Sequence, residues 1–173
     1  MALEWTRYES PIGPLFLVEC PDGPLVVEFP RRSARLHWVE RISEHRGPVM
    51  VSTGPCRATV GRLERYFADE AVPSPWPDYL AEWLPPTPSQ EAVWRAVCAI
   101  PFAETRSYQQ VADAAGLHPR HTGQLVGANH LAVLIPCHRV VGADGALVGY
   151  GGGLARKRKL LDHELQVSGV RLW

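Results

Sequence analysis

Six prolines (Pro73, Pro75, Pro77, Pro85, Pro86 and Pro88) crowd residues 72–89. Each lacks a backbone N–H, and its ring collides with the preceding helical turn, so no continuous helix crosses the stretch. The 173-residue chain is thereby divided near its middle. Its length permits one domain, or two small ones sharing a core. Trp76, Tyr79, Trp83 and Leu84 lie in the same stretch and predict a connector packed onto the protein rather than a loose one.

The part before the connector reads as α+β. Residues 5–10, 15–20 and 25–29 have the character of short strands. Pro11-Ile12-Gly13-Pro14 and Pro21-Asp22-Gly23-Pro24 separate them as turns. Ser33 caps a predicted helix to about His45 with Leu36, Val39 and Ile42 on one face. Residues 50–52 suggest another strand. Residues 57–69 suggest a helix with Val60, Leu63 and Phe67 at helical spacing.

After the connector, Thr87-Pro88-Ser89-Gln90 opens an amphipathic helix marked by Val93, Trp94, Val97 and Ile100, and Pro101 ends it. Ser107 caps a short helix over residues 108–115 that Gly116 stops. A second short helix opens at Pro119 and runs toward Gly127. Two such helices joined through Gly116-Leu117-His118 have the dimensions of a helix-turn-helix, although ordinary neighbouring helices share them.

The run Leu134-Ile135-Pro136-Cys137-His138-Arg139-Val140-Val141 reads as a β-like apolar segment that carries a cysteine beside two potential cations. Nearby positive charge lowers a thiol pKa, which sets Cys137 up as a buried thiolate. The plain alternative is a core cysteine. Arg139 in so apolar a run is costly unless something uses its charge. Gly149-Tyr150-Gly151-Gly152-Gly153 is a loop that lets a flat base approach the backbone, or cradles a phosphate; it lacks the Lys-Ser/Thr of a P-loop. The last helix runs to about Leu165 with Leu154, Leu161 and Leu165 as its buried stripe. Glu164 leans toward that side and needs a partner, while Arg156-Lys157-Arg158-Lys159 covers the remaining surface.

Net charge is zero, but residues 1–85 carry −3 and residues 86–173 carry +3, which places any DNA contact in the second half. No apolar run approaches the ~20 residues of a membrane span, and the N-terminus lacks a signal-peptide core. Cys20, Cys56, Cys98 and Cys137 are scattered, which fits neither a zinc site nor a disulfide framework and suits a reducing cytosol.

The octapeptide around Cys137 resembles the active-site signature of the O6-alkylguanine-DNA alkyltransferases, the methylated-DNA–protein-cysteine methyltransferases. The resemblance extends through Thr87-Pro88 with Gln90 and Val93-Trp94, then Ile100-Pro101 and Ser107-Tyr108. It continues through Arg120, Gly123 and Asn129, the Gly149-Tyr150 and Gly152-Gly153 loop, and Lys157, Leu160-Leu161 and His163-Glu164. It is looser before residue 87, where Ser10-Pro11-Ile12-Gly13-Pro14-Leu15 carries it. The sequence departs from the family at Ser89, usually aromatic, at Ala103, usually glycine, and at His121, usually small and apolar.

The resemblance implies an α+β fold: an RNase H-like N-terminal lobe (residues 1–86) with a small antiparallel sheet, its Pro-rich linker beginning near residue 72, and a mostly helical catalytic and DNA-binding lobe (residues 87–173). It implies that Cys137 takes an alkyl group from O6-alkylguanine irreversibly, once per molecule. His138 accepts the thiol proton through a water, Glu164 orients His138, and Tyr108 donates a proton at guanine N3. Val140, Tyr150, Gly151 and Gly152 surround the base. The base is flipped out of the duplex, with Arg120 filling the gap, Thr122, Gln124, Asn129 and Arg139 on the DNA side, and the Asn129 side chain tying the helix-turn-helix to the active-site strand. The expected partner is double-stranded DNA bearing O6-alkylguanine, with O4-alkylthymine left open. A cytoplasmic monomer without cofactor, metal or membrane contact is expected. A damage-binding module that leaves Cys137 unused is the alternative. A cysteine hydrolase is a weaker one, since its histidine would normally come from a distant segment.

Overall fold

A computed structural model describes residues 2–30 and 34–169. β1 (Ala2–Ser10), β2 (Gly13–Cys20) and β3 (Gly23–Glu28) form an antiparallel meander. Gly13 and Gly23 open β2 and β3 with φ of 105° and 145°, a region that only glycine enters freely. β4 (Met50–Thr53) pairs with β1 in parallel, so the sheet runs β3-β2-β1-β4 and is mixed, where an antiparallel one was expected. β2 and β3 are buried along most of their length, through Leu15, Phe16, Leu17, Val18, Leu25, Val26 and Val27. Such continuous burial marks strands covered on both faces.

α1 (Ala34–Arg46) connects β3 to β4. Its expected face of Leu36, Val39 and Ile42 is rotated: Trp38 and Ile42 are buried while Leu36 is 63% exposed. Trp38 stacks on His130 with centroids 5.0 Å apart, and the larger indole decides which side turns inward. The expected cap, Ser33, lies outside the described residues. α2 (Arg57–Phe67) packs on β2 and β3 and buries Thr59, Leu63 and Tyr66.

The proline-rich connector is strapped down. It holds one helical turn, α3 (Leu80–Trp83), with Leu80, Trp83 and Leu84 buried. The Trp83 indole donates to Asp22 Oδ2 at 2.7 Å, and the Tyr79 hydroxyl donates to the Pro24 carbonyl at 2.8 Å.

α4 (Pro88–Cys98), α5 (Tyr108–Ala115) and α6 (Pro119–Gly127) pack together. Thr87 with Gln90 and Ser107 with Gln110 form capping boxes at α4 and α5. Gly116 ends α5 at φ 67°. β5 (Arg106–Ser107) pairs in parallel with β6 (Val140–Val141), and α7 (Leu154–Val167) is the last element among the described residues.

Two expectations are corrected. Cys137 is in a 3-10 turn (Cys137–Arg139), not a strand; the Arg139 N–H donates to the Pro136 carbonyl at 2.9 Å. A strand would point Cys137 and Arg139 to one face; the turn separates them. On α7 the inward stripe is Lys157, Leu160 and Glu164, while Leu154 is 47% exposed. Apolar spacing misplaces this face because two of its three side chains are charged and find partners inside.

Candidate active site

A cavity of about 140 Å3 opens between α5, α6 and the glycine loop. Cys137 and Asn129 line it beside Tyr108 and Gly123 from the two helices, Tyr150 and Gly152 from the loop, and Phe29 from beyond β3. The first half of the chain reaches the cavity because β3 is hydrogen-bonded to the segment that leads to Cys137. The Val27 N–H donates to the His130 carbonyl and the Ala132 N–H to the Val27 carbonyl, each at 2.8 Å.

The Asn129 amide donates to Cys137 Sγ at 3.1 Å and to the Ile135 carbonyl at 3.0 Å, and its oxygen accepts from the Leu131 N–H at 2.9 Å. All three bonds fix the sulfur relative to the end of α6. Burial pushes the Cys137 thiol above its ordinary pKa; the Asn129 hydrogen bond and the Lys157 charge pull the other way without overcoming it. Cys137 therefore rests as a thiol rather than the expected thiolate. The two flanking cations do not serve it, since both turn toward α7.

There they meet Glu164. His138 Nε2 donates to Glu164 Oε1 at 2.6 Å, and both side chains are fully buried. Arg139 donates Nε to Oε2 at 2.9 Å and a terminal nitrogen to Oε1 at 3.1 Å; its other terminal nitrogen reaches the Ile100 carbonyl at 2.7 Å. The Ala103 N–H donates to Oε2 at 3.0 Å and the Tyr66 hydroxyl to Oε1 at 2.8 Å. Burial alone would raise the Glu164 carboxyl; the bonds and charge from His138 and Arg139 outweigh it and hold it well below the usual carboxylate range. Burial pushes His138 down, against the pull of Glu164. A neutral His138 with its proton on Nε2 keeps Nδ1, which has no partner among the described residues, as a proton acceptor.

Lys157 is buried and donates to the carbonyls of Val140 at 2.5 Å, Val148 at 2.8 Å and Gly149 at 3.2 Å. This ties the glycine loop to β6. Tyr108 donates to the Val148 carbonyl at 3.2 Å from the cavity wall. The Tyr150 hydroxyl is buried without a partner among the described residues, and its ring meets Phe29 edge-on at 5.9 Å. Gly152 lies so close to the Phe29 ring that a Cβ would run into it. Arg156 lies over Phe29, at 4.8 Å, and donates to the Ile12 and Gly152 carbonyls at 2.8 and 2.9 Å.

Of the residues expected to face DNA, Arg120 and Gln124 are exposed on α6. Thr122 is fully buried and Arg139 is 2% exposed, so neither side chain is available to DNA. Thr122 faces inward from α6, and Arg139 is committed to Glu164. Asn129 ties the end of α6 to the active-site turn, as expected of it, through its bonds to Ile135 and Cys137. Of the basic run on α7, Arg158 and Lys159 are exposed, whereas Arg156 and Lys157 turn inward. The sequence reading missed Tyr66 and Phe29, which lie more than 70 residues from Cys137; no local pattern marks either. Among the described residues no cluster of three or more His, Cys, Asp or Glu is arranged to hold a metal ion.

Residues 88–166 match the family model described as the DNA-binding domain of 6-O-methylguanine DNA methyltransferase. The methylated-DNA–protein-cysteine methyltransferase of Mycolicibacterium paratuberculosis is 48% identical over 98% of this chain and 97% of its own. Among solved structures, the O6-methylguanine methyltransferase of Mycobacterium tuberculosis is 34% identical and superposes with a TM-score of 0.75, covering 98% of this chain and 96% of its own. The OGT of the same organism in complex with DNA gives a TM-score of 0.75 at 33% identity over 96% of this chain and 94% of its own. With relatives that run nearly end to end along both halves, the chain belongs to the methylated-DNA–protein-cysteine methyltransferase family.

Proposed function

We propose that this protein repairs duplex DNA by transferring the alkyl group of O6-alkylguanine to Cys137, once per molecule. The observation that carries the reading is the placement of Cys137 Sγ on a base-sized cavity, directly ahead of the His138–Glu164 pair.

The Cys137 proton passes through one water to His138 Nδ1, and Glu164 steadies the imidazolium that forms. The thiolate attacks the alkyl carbon; the S–C bond forms as the C–O6 bond breaks, and the electron pair leaves with the guanine. Tyr108 supplies a proton at N3 as the base departs and is reprotonated through solvent as the His138 imidazolium gives up the proton taken from Cys137, yielding guanine and a thioether. Because Cys137 rests as a neutral thiol, deprotonation is coupled to the reaction, which protects the sulfur from stray electrophiles. The alkyl thioether is inert to hydrolysis, so the protein is consumed.

The target base must leave the duplex, at a cost of a few kcal/mol. Arg120, exposed in the first turn of α6, is placed to fill the gap, with Gln124 one turn on. Backbone around Val140 and the Tyr150, Gly151 and Gly152 loop reads the base. Residues 1–86 and 87–173 form the two lobes of a protein that acts as a monomer. Its four free cysteines suit the cytoplasm. Among the described residues no helix is long and apolar enough to cross a membrane.

The test is intact mass and peptide mapping after mixing with a duplex bearing one O6-methylguanine. One methyl group on Cys137, with guanine restored, is expected. Tight binding with no mass gain would overturn transfer in favour of damage recognition alone.

A further inference from the structure

We propose that Tyr66, from the first half of the chain, is a positioning residue of the transfer reaction that holds Glu164 and limits how firmly His138 keeps a proton. The inference rests on the alkyl-transfer reading above.

Tyr66 lies on α2, 98 residues from Glu164 in sequence, and its hydroxyl donates to Glu164 Oε1 at 2.8 Å. That oxygen also accepts from His138, and the hydroxyl stands 3.5 Å from His138 Nε2. The ring is held in turn. It meets Phe102 edge-on at 6.2 Å and leans on His163 at 5.1 Å. His163 Nε2 donates to the Tyr66 carbonyl at 2.7 Å. α7 therefore grips α2 through successive residues, His163 on the backbone and Glu164 on the hydroxyl.

Tyr66 does not serve as an acid or base. Burial, then the charge of Glu164, pushes its hydroxyl far above the ordinary range, so it remains a donor at any working pH. What it changes is the share of Oε1 left for His138. The ionisable groups around His138 are Glu164 and Lys157 from α7, its neighbours Cys137 and Arg139, and Tyr66 from α2. Glu164 alone among them favours the imidazolium. A third donor on Oε1 spreads the carboxylate charge and weakens that pull. His138 thus stays neutral and ready to accept the Cys137 proton, while the carboxylate cannot swing away.

The experiment is single-turnover methyl transfer from an O6-methylguanine duplex between pH 5 and 9, in the wild type and in Tyr66→Phe. The acid limb, where a protonated His138 can no longer accept, is expected to move up by about one pH unit, so that transfer is slowed about tenfold at pH values below both limbs. A 3-fluorotyrosine placed at position 66 alone is a stronger donor of nearly the same shape, and is expected to move the limb down. It keeps the test open should Tyr66→Phe fold poorly. A limb unmoved in both variants, with only the melting temperature changed, overturns the proposal and leaves Tyr66 a packing residue. A wild type that never gains methyl on Cys137 overturns the transfer reading itself, and the role of Tyr66 with it.

Discussion

The main-chain N–H of Ala103 points at Glu164 Oε2 from 3.0 Å, and it does so because Ala103 holds φ at 62°. The turn after Pro101 thus spends an unfavourable backbone conformation to give a buried carboxylate one more donor. It occurs at the position where the family usually has glycine.

Ala103→Gly is therefore expected to stabilise the protein. Relief of left-handed strain is worth about 1–2 kcal/mol and the added chain entropy costs about 0.4–1 kcal/mol, leaving a net gain of about 1 kcal/mol. Urea unfolding checks it through a higher midpoint at constant slope. Ala103→Val should lower the midpoint, since a branched Cβ tolerates this region worse. A glycine variant no more stable than the parent would mean that the turn stores no strain.

Lys157→Met leaves three carbonyls without their cationic donor. A loss of about 2–4 kcal/mol is expected, from the range for breaking charge-assisted buried bonds. The same change removes a positive charge that favours the Cys137 thiolate, so the pH midpoint of Cys137 carboxymethylation should rise. If that midpoint stays put while stability falls, Lys157 only anchors the loop.

Arg120→Ala separates duplex opening from chemistry. Transfer from an alkylated duplex is expected to slow by about 10- to 100-fold, because the vacated base site is no longer filled. Transfer from the free alkylated base, which needs no flipping, should be nearly unchanged. Equal slowing on both substrates would place Arg120 in folding or in the pocket instead.

Stability is expected to fall on mild acidification. Burial, reinforced by the charge of Arg41, pushes His130 down to about 3. Its ring is enclosed by Trp38 and Trp94, with centroids 5.0 and 5.2 Å away. The unfolded chain binds the proton that the folded one refuses, so stability drops as pH falls from about 6.5 toward 3, by up to about 1.4 kcal/mol per pH unit. His138 acts in the same direction. Below about pH 4 the protonation of Glu164 adds to the loss, since its lowered carboxyl stabilises the fold only while ionised. Melting temperatures at pH 7 and 5 check this: His130→Leu should make the fall shallower, one of two buried imidazoles having gone. A variant with the parent's slope would show that His130 is protonated in the fold.

What was legible in the chain was what is local. Ser107, Gly116 and Pro119 bound α5 and α6 to the residue, because caps and stops act over a single turn. Arg139 and Glu164 each signalled a missing partner by sitting charged among apolar neighbours, though not that they partner one another. The inward face of α7 was misread because a buried lysine satisfied by three carbonyls leaves no apolar periodicity. On α2, Val60, Leu63 and Phe67 drew the face, while Tyr66, one position away, is the residue that enters the site. Which side of a helix meets a neighbour from the other half of the chain is decided by the whole fold, and spacing along one helix does not carry it.

The strand pairing of Val27 with residues 130–132 has a consequence for how the molecule comes apart. Any excursion that separates the first half of the chain from the second must break those two main-chain bonds and strand the Glu164 carboxylate away from Tyr66. The amides of Val27 and Ala132 should thus exchange with solvent deuterium only through complete opening of the chain. One melting transition should serve both halves of the chain, and the second half should not persist alone.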